Sequence, residues 1–249
     1  MKLIKVNGIV IKEVTFKDND KIITVLTDKL GKISCMARGA KKTNSPILAS
    51  SQYLVYSEFV LYKGNNFYYV NSTSIINMFY KLRIDFDKLQ IAFELTKILQ
   101  SVIEESEDTS KIIALFLNTI YVLENLDKPK GQVVATFKIK LFSLLGFAPR
   151  LYECNQCNEK LYHINKEPEE ISNIADKIYY DFVNNTFLCN SCGCTKDRKR
   201  TIEITHASLL AIKYVVTSDI KKIFNFELKD IQNFELFSKV YTDAMMSGA

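Results

Sequence analysis

The sequence predicts an α+β chain of several domains: a small closed barrel of five β-strands, followed by an α-helical domain that carries a four-cysteine insert. Three observations predict it. Apolar residues recur with period 2 from Lys2 to about Ser74 and with a period near 3.6 after Ile75. Two Cys-x-x-Cys pairs, Cys154 with Cys157 and Cys189 with Cys192, then interrupt the helical pattern. Positive charge also gathers at the start: residues 1–80 hold eleven Lys and Arg against five Asp and Glu, a surplus of +6, while the other 169 residues sum to −1. A polyanion would be steered to that first third.

The elements follow in order. Ile4 to Val14 is rich in β-branched residues, Lys17 to Asp20 is a polar turn, and Lys21 to Thr27 is the next strand. Asp28 to Gly31 is a hairpin connection and Lys32 to Ala37 the third strand. Arg38 to Pro46 is a basic loop punctuated by glycine and proline. Beyond it, Gln52–Tyr62 and Asn66–Val70 alternate as a second hairpin turned at Lys63, Gly64 and Asn65. Five strands in about seventy residues fit the OB-fold, whose sheet face and loops hold single-stranded nucleic acid. Arg38, Lys41 and Lys42 are the candidate DNA-binding residues, since a loop between strands presents their charge to a phosphate backbone. Tyr53, Tyr56, Phe59, Phe67, Tyr68 and Tyr69 lie where alternate residues either fill the barrel or stack on bases.

Helical stripes come next. Lys88–Glu105 aligns Leu89, Ala92, Phe93, Leu95, Leu99, Val102 and Ile103, and Ser110–Leu126 aligns Ile113, Phe116, Leu117, Ile120 and Leu123. Gly131–Leu145 is a third helix with Val134, Phe137, Leu141, Leu144 and Leu145 inward, ended by Gly146. Between the cysteine pairs, Lys177–Val183 and Thr186–Leu188 read as a β-hairpin turned at Asn184 and Asn185. A basic run, Lys196 with Arg198, Lys199 and Arg200, leads to helices beginning near Thr205, an N-cap, and near Leu228. The expected domains are 1–78 (OB-fold), 79–153 with 201–249 (helical) and 154–200 (insert).

Each Cys-x-x-Cys pair puts two thiolates on one tight turn, and two such turns close a tetrahedral four-sulfur zinc cage. One structural Zn2+ on Cys154, Cys157, Cys189 and Cys192 is therefore expected, with Gly193 supplying a residue tolerant of positive φ. Cys194 offers an alternative fourth ligand, and Cys35, in an apolar run, reads as a small core residue. A redox pair would want one Cys-x-x-Cys opening a helix in a βαβ unit. A disulfide framework suits a small secreted domain, whereas this 249-residue chain opens with Met, Lys, Leu, Ile and Lys and no signal-peptide pattern. The longest apolar run, Ile112–Leu117, is far short of the roughly 20 residues that span a bilayer. A cytoplasmic location is expected. Catalysis has no footing: His163 and His206 lack partners at a useful spacing, and no phosphate-cradling Gly-rich loop occurs.

The run FKIKLFSLLGFAPRLYECNQC, Phe137 to Cys157, resembles the RecO family of bacterial DNA recombination-repair mediator proteins, in which a helix ends in Leu-Gly-Phe/Tyr-x-Pro just before the first knuckle. Gly8–Ile11, Thr27–Gly31 and Ala37–Lys42 with Ser45 resemble the family's first domain. The sequence departs from the pattern at Asn184, Asn185 and Thr186, where a glycine-containing turn is expected. The resemblance implies a protein that binds single- and double-stranded DNA and anneals complementary strands. It further implies help in loading recombinase, with RecR, onto DNA coated by single-stranded-DNA-binding protein. The acidic, apolar-ended tail of that protein needs a basic receptor beside an apolar surface, and Lys138, Lys140 and Arg150 are the candidates. An RNA-binding or transcription-associated protein with an OB-fold and a zinc ribbon is the alternative.

Overall fold

A computed structural model describes residues 2–65, 67–105, 108–161, 177–196, 199–229 and 231–247. The chain forms two compact units, Met1–Leu126 and Asp127–Ala249. The first opens with strands β1 (Leu3–Phe16), β2 (Asp20–Thr27), β3 (Lys32–Ala37), β4 (Tyr56–Lys63) and β5 (Tyr68–Asn77). They close as β1-β2-β3-β5-β4 with β4 returning to β1. Only the short β3–β5 seam, Cys35 opposite Tyr68 and Met36 opposite Tyr69, is parallel. Alternation along β4 sends Ser57, Phe59 and Leu61 inward, and with Val6, Val10, Ile23, Val25, Ile33, Cys35 and Tyr68 they fill the interior. Burial pushes the Cys35 thiol pKa upward, as befits an inert core residue. At Gly8, paired with both Thr27 and Ser57, a Cβ would stand 2.5 Å from Val25 Cγ1, so only glycine lets β1 and β2 approach there.

β4 starts four residues later than its β-rich sequence suggests, because Leu54 adopts φ 61 and turns the chain. β5 runs to Asn77 because β4 pairs with it throughout; the polar run 71–74 follows Val70, and beyond it Ile75 and Ile76 are both exposed, so no alternation marked the extension. Helices α1 (Tyr80–Arg83), α2 (Phe86–Val102) and α3 (Ser110–Asn125) complete the unit. Asp85 caps α2, accepting from the Lys88 N–H at 3.1 Å. Gln100 of α2 donates to the Ile11 carbonyl, Lys32 donates to the Gln100 carbonyl, and the Tyr53 and Thr96 hydroxyls meet at 2.7 Å. Phe93, expected inward, is instead exposed at the rim, edge-on to Tyr53 with Lys97 above it.

The second unit is built around α4 (Lys130–Phe142), buried on nearly every side, where a one-sided stripe was expected. The π-turn Ser143–Phe147 ends it, with Gly146 at φ 94. The chain then forms β6 (Ile178–Asp181), β7 (Thr186–Leu188), α5 (Asn190–Gly193), β8 (Thr201–Ile204), α6 (His206–Thr217) and α7 (Gln232–Ser247). The expected hairpin is β6–β7, and β8 adds an antiparallel third strand to it. Thr205 caps α6 through the Ser208 N–H, as predicted, whereas α7 begins at Gln232 and not near Leu228. Tyr180, Phe187, Phe237 and Tyr241 pack ring on ring beneath the sheet.

Candidate metal centre and nucleic-acid interface

In the second unit the sulfur atoms of Cys154, Cys157, Cys189 and Cys192 all lie within 4.8 Å of one another. Zn–S bonds of about 2.3 Å in a tetrahedron put sulfurs about 3.8 Å apart, and Cys157 Sγ stands 3.6 Å from Cys189 Sγ. The donor set therefore fits a tetrahedral thiophilic ion. Local backbone bonds shape each knuckle. Cys154 N–H donates to the Glu159 carbonyl and Asn158, at φ 61, returns its N–H to Cys154, while the Asn155 N–H donates to Phe187 of β7 and ties the two knuckles together. The second knuckle is α5, with the Gly193 N–H on the Cys189 carbonyl.

Gly193 is needed for a different reason from the one expected. It is not among the positive-φ residues; a Cβ there would lie 2.2 Å from the Tyr179 ring. Cys154 and Cys189 are buried and Cys157 is exposed. Burial acts to raise the Cys154 pKa, yet backbone hydrogen bonds from Cys189, Cys157 and Gln156 outweigh it and bring the thiol down to about 7. Burial pushes Cys189 up. Such a cluster holds one thiolate readily and further ones only with a cation to offset their repulsion. Cys194 is exposed outside the cluster, its thiol directed at the Ser191 carbonyl.

In the first unit, Arg38, Lys41 and Lys42 are all exposed on the loop after β3. That loop is fastened to the β1–β2 turn, since the Gly39 N–H donates to Asp20 Oδ1 at 2.7 Å and the Lys41 N–H to the Asn19 carbonyl at 3.0 Å. The Arg38 guanidinium lies 4.8 Å from the Tyr69 ring centroid, and Tyr69 stacks on its cross-strand partner Tyr62 at 5.1 Å. Beside them opens a cleft of about 400 Å³ lined by Phe16, Lys17, Asp20, Met36, Arg38, Asn65, Phe67 and Tyr69. Of the six aromatics singled out in the sequence, Phe59 and Tyr68 face the core, Tyr53 bonds Thr96, Tyr56 opens β4 half-buried, and Phe67 and Tyr69 line the cleft. Sequence reasoning missed Phe16 and Lys17; an aromatic and a cation side by side at a turn were the available signal.

The chain matches the family models described as Recombination protein O N terminal over residues 1–79 and Recombination protein O C terminal over residues 83–237. It belongs to the RecO family. The DNA repair protein RecO of Acetivibrio thermocellus is 36% identical over 236 residues, covering 95% of this chain and 88% of that protein. Its counterpart in Caldicellulosiruptor saccharolyticus is 31% identical over 223 residues, 90% of this chain and 84% of the relative.

Among the remaining predicted residues of this RecO-family chain, Lys140 requires correction as a receptor for an acidic tail. It is only 6% exposed, and its ammonium donates to the Val216 and Ser218 carbonyls at 2.9 and 2.7 Å, closing the end of α6. Lys138 is half-buried and Arg150 exposed, with a guanidinium N–H on Asn155 Oδ1 at 3.3 Å. Lys196, Lys199 and Arg200 are exposed, while Arg198 and His163 lie outside the described residues. His206 is the first residue of α6. Among the described residues no helix is long and apolar enough to cross a membrane.

Proposed function

We propose that this chain is a non-catalytic mediator of DNA repair and homologous recombination. It binds single- and double-stranded DNA, anneals complementary strands and assists recombinase loading with RecR on DNA coated by single-stranded-DNA-binding protein. One observation carries the reading: in a RecO-family chain, a closed five-stranded barrel presents Arg38, Lys41 and Lys42 on an exposed loop beside an aromatic cleft. Exposed cations of this kind neutralise phosphates without reading sequence, which suits a protein that must act on any DNA. Annealing needs no bond to be made or broken by the protein; screening the repulsion between two strands is sufficient chemistry.

The four-cysteine cluster holds one structural Zn2+, because four thiolates at tetrahedral spacing select a soft, four-coordinate ion. In the second unit Arg150 and Lys138 remain the residues offered to the acidic tail of single-stranded-DNA-binding protein. The working place is the cytoplasm, at the nucleoid.

The test is annealing of complementary DNA strands, with and without single-stranded-DNA-binding protein, beside the same assay with RNA. Wild type is expected to anneal DNA, including coated DNA. Arg38→Ala with Lys41→Ala and Lys42→Ala should weaken single-strand and duplex binding alike and flatten the slope of log K against log salt by roughly 2. Equal or better annealing of RNA would favour the RNA-binding alternative. An unchanged slope in the folded triple variant would move the interface away from this loop.

A further inference from the structure

A phosphate backbone needs cations, not aromatic walls. The cleft beside Arg38 has both: Phe16, Met36, Phe67 and Tyr69 stand with Lys17 and Arg38 around a space of about 400 Å³, a size typical of small-ligand pockets, about 300–1,000 Å³. Its walls are held in place. Tyr69 is fixed by stacking on Tyr62 and by the Arg38 guanidinium, and at Gly64 a Cβ would come within 2.4 Å of the Tyr69 ring, so the β4–β5 turn sits directly against it. Lys17 adopts φ 55 in the β1–β2 turn and keeps its ammonium 5.4 Å from the Phe16 ring centroid. The one acidic lining residue, Asp20, has an oxygen committed to the Gly39 N–H, where it serves loop closure. The ligand such a cleft fits is flat, aromatic and attached to negative charge.

We infer that the cleft takes one unstacked nucleobase of single-stranded DNA, lying against the rings of Phe16 and Phe67 and the edge of Tyr69, with the adjoining phosphates on Lys17 and Arg38. The inference rests on reading the barrel as the DNA-binding domain, and it divides the basic tract by role. Arg38, stacked on Tyr69, belongs to the base site; Lys41 and Lys42, outside the cleft lining, are pure phosphate contacts. Bases in a duplex are paired and stacked and cannot enter, so the base contact adds affinity for single strands only, whereas the charges of Arg38, Lys41 and Lys42 meet phosphates of both forms.

The test compares the full chain's affinity for an oligothymidine with that for an abasic strand of the same length, which keeps the phosphates and lacks the bases. Base–aromatic stacking of this kind corresponds to a preference of about 5- to 150-fold. Wild type should show that preference. Phe16→Ala with Phe67→Ala should abolish it while leaving the salt slope unchanged. Lys41→Ala with Lys42→Ala should do the reverse, keeping the preference and flattening the single-strand slope by about 1.4. If wild type binds both strands equally, or the folded phenylalanine variant keeps its preference, the inference is wrong. Should the alanine pair fail to fold, Phe16→Leu with Phe67→Leu keeps the apolar bulk without the π faces; loss of most of the preference supports the proposal, and retention overturns it. A lysine pair whose removal changes neither affinity nor slope, in a chain that also shows no base preference, would instead sink the reading of the barrel as the DNA-binding domain; the same silent pair beside a preference that the phenylalanine variant abolishes would remove only the two lysines from the interface.

Discussion

Asn185 stands at φ 51 in the β6–β7 turn, a turn that the family pattern leads one to expect to contain glycine. Asparagine visits this left-handed region at less cost than other side chains, and here it adds two bonds that glycine cannot make. The Tyr180 hydroxyl donates to its Oδ1 at 2.8 Å, and its Nδ2 donates to the Phe147 carbonyl at 2.9 Å, joining the turn to the segment that leads into the first knuckle. Asn185→Gly should therefore cost the second unit about 1–3 kcal/mol, two hydrogen bonds at their usual net worth. Asn185→Ala should cost about 1 kcal/mol more, since it loses the same bonds and adds a Cβ at positive φ. Urea unfolding monitored in the second unit tests the order; equal losses for Ala and Gly would remove the backbone part of this account.

At the scale of elements, the informative residue is Lys140. A helix leaves its last carbonyls without partners, and a cation there also meets the negative end of the helix dipole. The Lys140 ammonium reaches from α4 to two such carbonyls at the end of α6 and so fixes one helix to the other. Lys140→Met keeps much of the stem's packing and strands those carbonyls. It is expected to lower stability by about 1.5–3 kcal/mol, the range for hydrogen bonds to charged groups, with no change in binding of an acidic tail peptide. Weakened peptide binding by a stably folded variant would return Lys140 to the partner surface.

At the scale of the whole molecule, each unit has its own buried interior: the barrel cluster in one, the aromatic stack around Tyr180 and Phe237 in the other. The cysteine cluster belongs wholly to the second. Metal binding to such knuckles contributes, in zinc-finger peptides, about 10–16 kcal/mol at neutral pH. Cys157→Ser, or removal of the metal by a chelator, should release close to one equivalent of zinc and expose residues 127–249 to protease, while 1–126 stays resistant. Proteolysis read by mass spectrometry, beside zinc by atomic absorption, is the check. Simultaneous loss of both units would show that the first depends on the second, and a variant that keeps full zinc would bring Cys194 into the cage.

By itself the sequence determined what depends on neighbours along the chain. Period 2 placed β1, β2 and β3 within a residue or two, period 3.6 placed α2 and α3, Thr205 marked the start of α6, and two Cys-x-x-Cys spacings marked the cluster. These signals are local because strand alternation, helix periodicity and capping are set within a few residues. Partners far apart in sequence were not legible. Nothing in the chain pairs Lys140 with residue 216, brings β8 onto β6, sets Tyr179 against Gly193, or turns Phe16, Arg38 and Phe67 toward one cleft. Whether Tyr68 or Tyr69 fills the barrel hangs on a register that β4 and β3 impose from outside, and a shift of one residue would exchange them. Only the closed barrel decided it, by burying Tyr68 and leaving Tyr69 stacked outside, beneath Arg38.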